Sequence, residues 1–210
     1  MNIGIIGTGN MARGIGRLLS RRGHAVAFGS RTPAESQAVA KEVGCEARVV
    51  TIGEAVDFGE VVFLTTPWKA AREIASTIAD RPDKVLVDVT NPVTDDFMSL
   101  VVGHTTSGAE EIAAKAGSTP VVKAFNTIFA QVLQSGDTEF EGRKATVFYA
   151  GDDPDAKQKV ARLGREMGFD PVDAGSLQNA RYLEPMAELN IQLGYGLGMG
   201  TDIALTQLRR

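Results

Sequence analysis

The chain has 210 residues, 43% hydrophobic and 23% charged, with a formal net charge of -4. That length supports one sizeable domain with a core needing no disulfides, and the acidic balance argues against a nucleic-acid or anionic-membrane surface. The single cysteine, Cys45, excludes an internal disulfide and is expected to pack as a small hydrophobe.

Asn2 to Gly7 (NIGIIG) reads as a buried strand with no charged leader before it, so a cytoplasmic protein is expected. From Asn10, Met11, Ile15, Leu18 and Leu19 share one helical face, which ends near Gly23. AVAFG is a second strand. Thr32-Pro33-Ala34-Glu35 has the spacing of a capping box with proline at the first helical position. ARVVT is a third strand and EVVFLTT a fourth, followed by Pro67-Trp68 and a helix to about Ala79. KVLVDVT is a fifth, ending at Asn91-Pro92. Ser107 to Glu110 is another capping box. PVVKAF and KATVFYA are the sixth and seventh strands. Pro154 to Met167 is a charged amphipathic helix, and DPVDAG a short last strand. From Ser176 the pattern is helical, with Leu183, Met186, Leu189 and Leu193 as its apolar positions; Pro185 marks its start or a kink. No apolar run reaches the roughly 20 residues of a membrane span.

Gly7-Thr8-Gly9-Asn10-Met11-Ala12 has the form G-x-G-x-x-A. It follows a predicted strand and opens a predicted helix, the context of a dinucleotide fingerprint. Gly7 suits the tight turn, Gly9 lets the backbone approach a pyrophosphate, and Ala12 keeps helix and strand close. Free N–H groups at the helix end attract the anion. Gly14 and Gly16, beyond the first turn, are packing positions. The alternating elements then predict a Rossmann-type α/β fold with a doubly wound, mainly parallel sheet. Residues 1–175 form its dinucleotide-binding domain, and 176–210 a small helical C-terminal segment.

An NAD enzyme normally carries an acid at the end of the second strand, where it bonds the ribose hydroxyls. Here Ser30 and Arg31 stand there. A guanidinium pairs with a 2′-phosphate and a serine hydroxyl can donate to it, so the expected cofactor is NADP(H). Ligands of open α/β sheets lie beyond the carboxyl ends of the strands. That edge offers Thr65 and Thr66 to ribose or phosphate oxygens, and Pro67 and Trp68 as apolar surface. Trp68 serves equally well as a core anchor. Asn91 offers donor and acceptor to a nicotinamide amide or a second ring, and Pro92 stiffens its loop. Phe125, Asn126 and Thr127 end the sixth strand at the same edge.

No Tyr-x-x-x-Lys motif is present, and no metal-ligand spacing. His24 precedes the second strand and reads as structural; His104 lies in a loop before a capped helix. Lys123 is the foremost lone proton donor, with an equally plausible structural role on its strand. Glu184, Glu188 and Asn190 of the last helix are further candidates to face the cleft. No catalytic residue is assigned. Few acid–base groups suit hydride transfer between two rings, where the protein sets stacking and distance.

The ordered series IGIIGTGNMARGIG, GSR, TTPW, TNP, KAFNTI, GDD and DAGSLQNARYLEP resembles the NADPH-dependent F420 reductases and the cytosolic domain of the STEAP metalloreductases. The resemblance implies NADP binding by Thr8, Gly9, Asn10 and Met11, 2′-phosphate recognition by Ser30 and Arg31, and contacts from Thr66, Pro67 and Trp68. In the F420 enzymes the deazaflavin stacks on the nicotinamide beside a His-Thr-Ile-Pro stretch. Asn126-Thr127-Ile128-Phe129 stands there in this chain, so F420 contacts do not transfer directly. In the resembling family the segment matching GYGLGMG helps close the second-ring site and contributes to dimers, so the resemblance implies both here, including a homodimer.

The leading expectation is an oxidoreductase passing a hydride between NADPH and a flavin-like ring, either F420 or FMN/FAD. Reduction of a small imine or carbonyl compound, or a non-catalytic NADPH sensor, are the competing readings.

Overall fold

The central strands are short apolar runs buried on both faces, and they pair into a sheet covered by helices on both sides. The computed structural model describes residues 1–44 and 47–210, with the side chain of Glu35 also undescribed. Cys45 and the Glu35 half of the first capping box thus lie outside the described residues. The strands are β1 (Asn2–Ile6), β2 (Ala25–Ser30), β3 (Arg48–Thr51), β4 (Val61–Leu64), β5 (Val85–Asp88), β6 (Val121–Ala124), β7 (Glu139–Phe140), β8 (Arg143–Lys144), β9 (Thr146–Gly151) and β10 (Asp170–Asp173). The main sheet has eight strands in the order β10-β9-β6-β5-β4-β1-β2-β3, and β7-β8 is a separate small hairpin. Neighbouring strands are parallel except β9 against β6. The order 3-2-1-4-5-6 within it is that of the dinucleotide-binding fold.

The helices are α1 (Asn10–Arg21), α2 (Pro33–Val43), α3 (Ile52–Phe58), α4 (Trp68–Ile74), α5 (Gly108–Ala116), α6 (Ala130–Ser135), α7 (Pro154–Glu166) and α8 (Ala180–Ile191). Three elements escape the sequence reading: α3, α6 and the β7-β8 hairpin. They are too short to show a period. Yet α3 carries a full capping box, in which Glu54 N–H donates to Thr51 Oγ1 and Thr51 N–H to the Glu54 carboxylate. Helix α8 begins at Ala180 and runs through Pro185, contrary to a start near that residue. Leu189, expected on the apolar face, is exposed.

Alternation along the strands divides the core. Ile3, Ile5, Phe28 and Phe63 pack with the side of α1, α6 and α7. Ile6, Val62, Leu64 and Leu86 pack with the side of α4 and α5. Phe125 stacks at an angle between Phe63 and Phe169, with ring centroids 5.9 and 6.2 Å away. At the amino edge of the sheet His24 bonds Glu166 at 2.7 Å, a structural position far from the carboxyl edge.

Helix α1 passes close to its neighbours because two glycines face them. A Cβ on Gly16 would lie 2.4 Å from the Phe28 ring, and one on Gly14 2.5 Å from Leu133 Cβ of α6. Gly14→Val therefore overpacks the α1–α6 contact and should cost about 1–3 kcal/mol. A thermal melt should fall by about 2–10 °C; an unchanged melting temperature would contradict this packing.

Candidate active site at the carboxyl edge

The strand order reverses between β1 and β4, and the crevice opens there, beyond the carboxyl ends of the strands. Gly7 turns the chain out of β1 at φ +121°, and a Cβ on it would sit 2.7 Å from Thr65 Oγ1. Thr65 Oγ1 donates to the Ile6 carbonyl at 2.8 Å. Its proton thus pins β1 to the loop after β4, where the sequence reading had it bonding ribose or phosphate. Thr66 Oγ1, by contrast, is buried with no partner among the described residues. A Cβ on Gly9 would meet nothing within 4 Å, so the loop opens onto the cleft at that point.

This first cleft is lined by Gly7, Thr8, Gly9, Ser30, Arg31, Thr32, Ser36, Thr65, Thr66 and Pro67, among others. Arg31 is exposed, and among the described residues it is the one charged side chain lining this cleft. Ser30 Oγ lies 2.8 Å from Ser36 Oγ and accepts the Thr32 N–H at 3.1 Å, which fixes the strand end beside Arg31. Arg13 and Arg17 of α1 both bond Glu42 of α2, tying the two helices that flank the loop. The groups present fit an NADP phosphate: open N–H groups at a helix start, an orphaned hydroxyl and a lone cation.

A second cleft adjoins the first across the start of α1. Asn10 and Met11 line it on one side; Asn91, Asn126, Thr127, Ile128 and Phe129 form its floor. Ala187, Asn190, Ile191 and Tyr195 close it from α8 and the turn beyond. Phe125 does not line it. Its ring is fully buried in the core, and its backbone is left-handed at φ +63°, an unusual state for a bulky residue. That turn hands the next residues to the cleft. Trp68 also stands elsewhere: it is 7% exposed, lines neither cleft, and anchors the core under α4 and α5. Pro92 is buried and likewise lines neither; a Cβ on Gly108 would touch its ring at 3.3 Å. His104 is exposed and lines neither.

Behind the second cleft lies a buried ion cluster. Lys123 Nζ, wholly buried, donates to Asp88 at 2.9 Å, to Glu184 at 2.9 Å and to the Thr90 carbonyl. Glu184 also accepts the N–H groups of Gly108 and Ala109 at 2.8 and 3.0 Å, the start of α5. Asp88 accepts the Thr90 N–H and hydroxyl. Two carboxylates and one ammonium leave one excess negative charge, which the positive end of α5 offsets. Lys123 and Glu184 are therefore structural, not facing the cleft. Burial by itself would depress the Lys123 ammonium's pKa, but the charges of Asp88 and Glu184 overcome it and hold it above the usual lysine range. Glu188 bonds Gln192 at 2.8 Å and does not line the cleft. Asn190 does line it, and donates to the Thr127 carbonyl at 3.2 Å.

Tyr195, Phe129 and Phe97 are cleft residues that the sequence reading did not select. The glycine-rich stretch around Tyr195 was the available signal. A Cβ on Gly194 would lie 2.7 Å from the Phe129 ring, so the close approach made there is to this chain's own aromatic. Tyr195 meets the same ring edge-on at 5.7 Å.

Lys123→Met would strand Asp88 and Glu184 without their counter-charge and should cost about 3–5 kcal/mol at neutral pH. Because the folded pKa is raised, the lysine's contribution is fully present below about pH 10.4 and is lost as pH rises through the folded value. Urea unfolding should show that alkaline loss in the wild type and not in the variant. A variant as stable as the wild type would contradict the cluster.

Residues 2–92 match the family model described as NADP oxidoreductase, coenzyme F420-dependent. Over 182 residues the chain is 35% identical to the metalloreductase STEAP3 of Rattus norvegicus, covering 87% of this chain and 35% of that protein. The chain thus spans about a third of the length of that relative. It is 28% identical to the F420-dependent NADP reductase of Methanothermobacter thermautotrophicus, covering 92% of this chain and 89% of that one. A crystal structure from Arthrobacter sp. FB24, described as a candidate F420-dependent NADP reductase, matches with a TM-score of 0.87 at 26% identity, covering the whole of both chains. The chain is thus similar to the coenzyme F420-dependent NADP reductases and to the STEAP metalloreductases, with residues 2–92 matching the segment that the family model describes.

Proposed function

We propose that this protein is a cytoplasmic NADP(H)-dependent oxidoreductase that transfers a hydride between NADPH and a flavin-like ring, F420 or a flavin such as FMN or FAD. The observation that carries the reading is the pair of adjoining clefts. Among the described residues, one has a cation, a glycine loop and no carboxylate, and the other mixes apolar side chains with neutral amides and has Tyr195 as its one titratable group. When bound, NADPH supplies the hydride. Arg31 and Ser30 receive the 2′-phosphate, while Thr8, Gly9, Asn10 and Met11 receive the pyrophosphate. Phe129, Ile128 and Ile191 give a flat ring an apolar bed and keep water off it. Residues 176–210 close this acceptor site through Ala187, Asn190, Ile191 and Tyr195.

The competing reduction of an imine or carbonyl needs a proton donor at the reacting carbon. Lys123 is locked in its cluster, and among the described residues Tyr195 is the one titratable side chain lining the second cleft. This weighs toward ring-to-ring transfer. A homodimer accompanies the reading, supported by the exposed apolar residues Phe97, Met98 and Tyr195 around a groove beside the site.

Arg31→Glu should weaken NADPH binding by about 10- to 150-fold, the value of a charge-assisted contact, with NADH changed by less than about twofold. Titration calorimetry with both coenzymes reads this; equal weakening would contradict the assignment. In an absorbance assay NADPH should be oxidised in the presence of F420, FMN or riboflavin, and failure with all three would reject the ring acceptor. Sedimentation should show a dimer that Met98→Glu dissociates; a wild-type monomer would remove the dimer from the account.

A further inference from the structure

The second cleft is lined by two amides, Asn91 and Asn126, whose hydrogen-bonding polarity is fixed from behind. Asn126 is 6% exposed. Its Nδ2 donates to the Leu183 carbonyl at 2.9 Å and to Asn91 Oδ1 at 3.0 Å. Asn91 Nδ2 in turn donates to the Asn126 backbone carbonyl at 2.9 Å. Exchanging the Asn126 nitrogen and oxygen would set oxygen against oxygen at both Leu183 and Asn91. Asn91 is unable to turn and compensate, because its own nitrogen is engaged. The network therefore assigns both amides without ambiguity.

What remains is Asn126 Oδ1, a buried acceptor with no partner among the described residues. The neighbouring Thr127 is 3% exposed, and its Oγ1 is also buried without a partner. A buried polar atom without a protein partner nearly always finds one in water or a ligand, and these two belong to residues that line the cleft. An amide oxygen only accepts, whereas a hydroxyl can also donate. Both residues line this cleft, and together they carry one unpartnered acceptor and one hydroxyl able to donate. Among the described residues no carboxylate lines this cleft, which does not favour a cation. The complementary group is an amide edge, an N–H beside a C=O, carried on a flat ring that fits the apolar walls.

We propose that Asn126 Oδ1 and Thr127 Oγ1 read an amide edge in the bound pair of rings, Asn126 taking its N–H and Thr127 donating to its carbonyl. The assignment rests on the reading that this cleft takes NADPH and a ring acceptor. The nicotinamide carboxamide and the imide of a flavin-like ring share this chemistry, and the experiment separates them. Asn126 is in this account a specificity-determining residue; Asn91 and Leu183 are its positioning partners.

Two pairs of probes test it on the wild-type protein. NADP+ is compared with its 3-acetylpyridine analogue, in which a methyl group replaces the amide nitrogen. Riboflavin is compared with 3-methylriboflavin, which lacks the imide N–H, in binding to the NADP+-loaded protein. Calorimetry should show one of these pairs discriminated by about tenfold, the responding pair naming the ring that is read. Asn126→Ala should erase that discrimination while keeping the preference for NADP+ over NAD+. Discrimination by neither pair, or its survival unchanged in Asn126→Ala, overturns the assignment. Because both comparisons use the wild type, an unfolded variant does not shelter it. Intact NADP+ binding without discrimination sinks this assignment alone; absence of NADP+ binding removes the proposed function and the assignment together.

Discussion

A fully buried ammonium holds the second half of the cleft in shape. Lys123 Nζ reaches from β6 to Asp88 at the end of β5, to the Thr90 carbonyl in the next loop, and to Glu184 on α8. Through Glu184 it is linked to the start of α5. Four elements are thereby fixed about one charge. Buried ion clusters add less to stability than their contacts suggest, because desolvation opposes them, but breaking one is costly. Their consequence here is geometric. The loop carrying Asn91 and the helix carrying Ala187 and Asn190 meet at the same cluster, and the floor of the cleft lies between them.

The first cleft is held by different means. There the backbone does the work, with Gly7 at a positive φ against Thr65, and the Thr65 hydroxyl bridging back to β1. Charge is sparse and sits at the rim, where Arg31 stands exposed. On the proposed reading this exposed guanidinium, hydrated in the free protein, would discriminate by the phosphate it meets. On the proposed reading the two clefts divide the labour: a cation and amide groups would recognise the anionic end, and apolar side chains with fixed amides would receive the rings.

The sequence made the first cleft legible because its logic is local. A G-x-G-x-x-A turn after an apolar strand, and a serine and arginine at the next strand's end, are short-range signals, and the structure brings them to one crevice. The doubly wound order followed from alternating strand and helix patterns. The second cleft was only partly legible. Asn91, Asn126 and Thr127 sit at strand ends and could be selected by the edge rule. Phe125 was selected with them and is core, since a left-handed backbone at that residue breaks the alternation that the rule assumes. Trp68 begins a helix whose buried face takes its ring, and helix phase was not readable so near a proline. The role of Lys123 depended on Asp88 and Glu184, 35 and 61 residues away, and no spacing rule pairs such distant charges. Helix α3 was missed for want of length, although Thr51 and Glu54 announced it.

The central claim is that the two clefts receive the two ends of one NADP molecule, with room left for a second ring. A crystal structure of the protein grown with NADP+ tests it most directly. The account predicts the 2′-phosphate against Arg31 and Ser30, the pyrophosphate over Gly9 and Asn10, and the nicotinamide beside Asn126 in the second cleft. A dinucleotide bound elsewhere, or one whose nicotinamide turns away from that cleft, would contradict it.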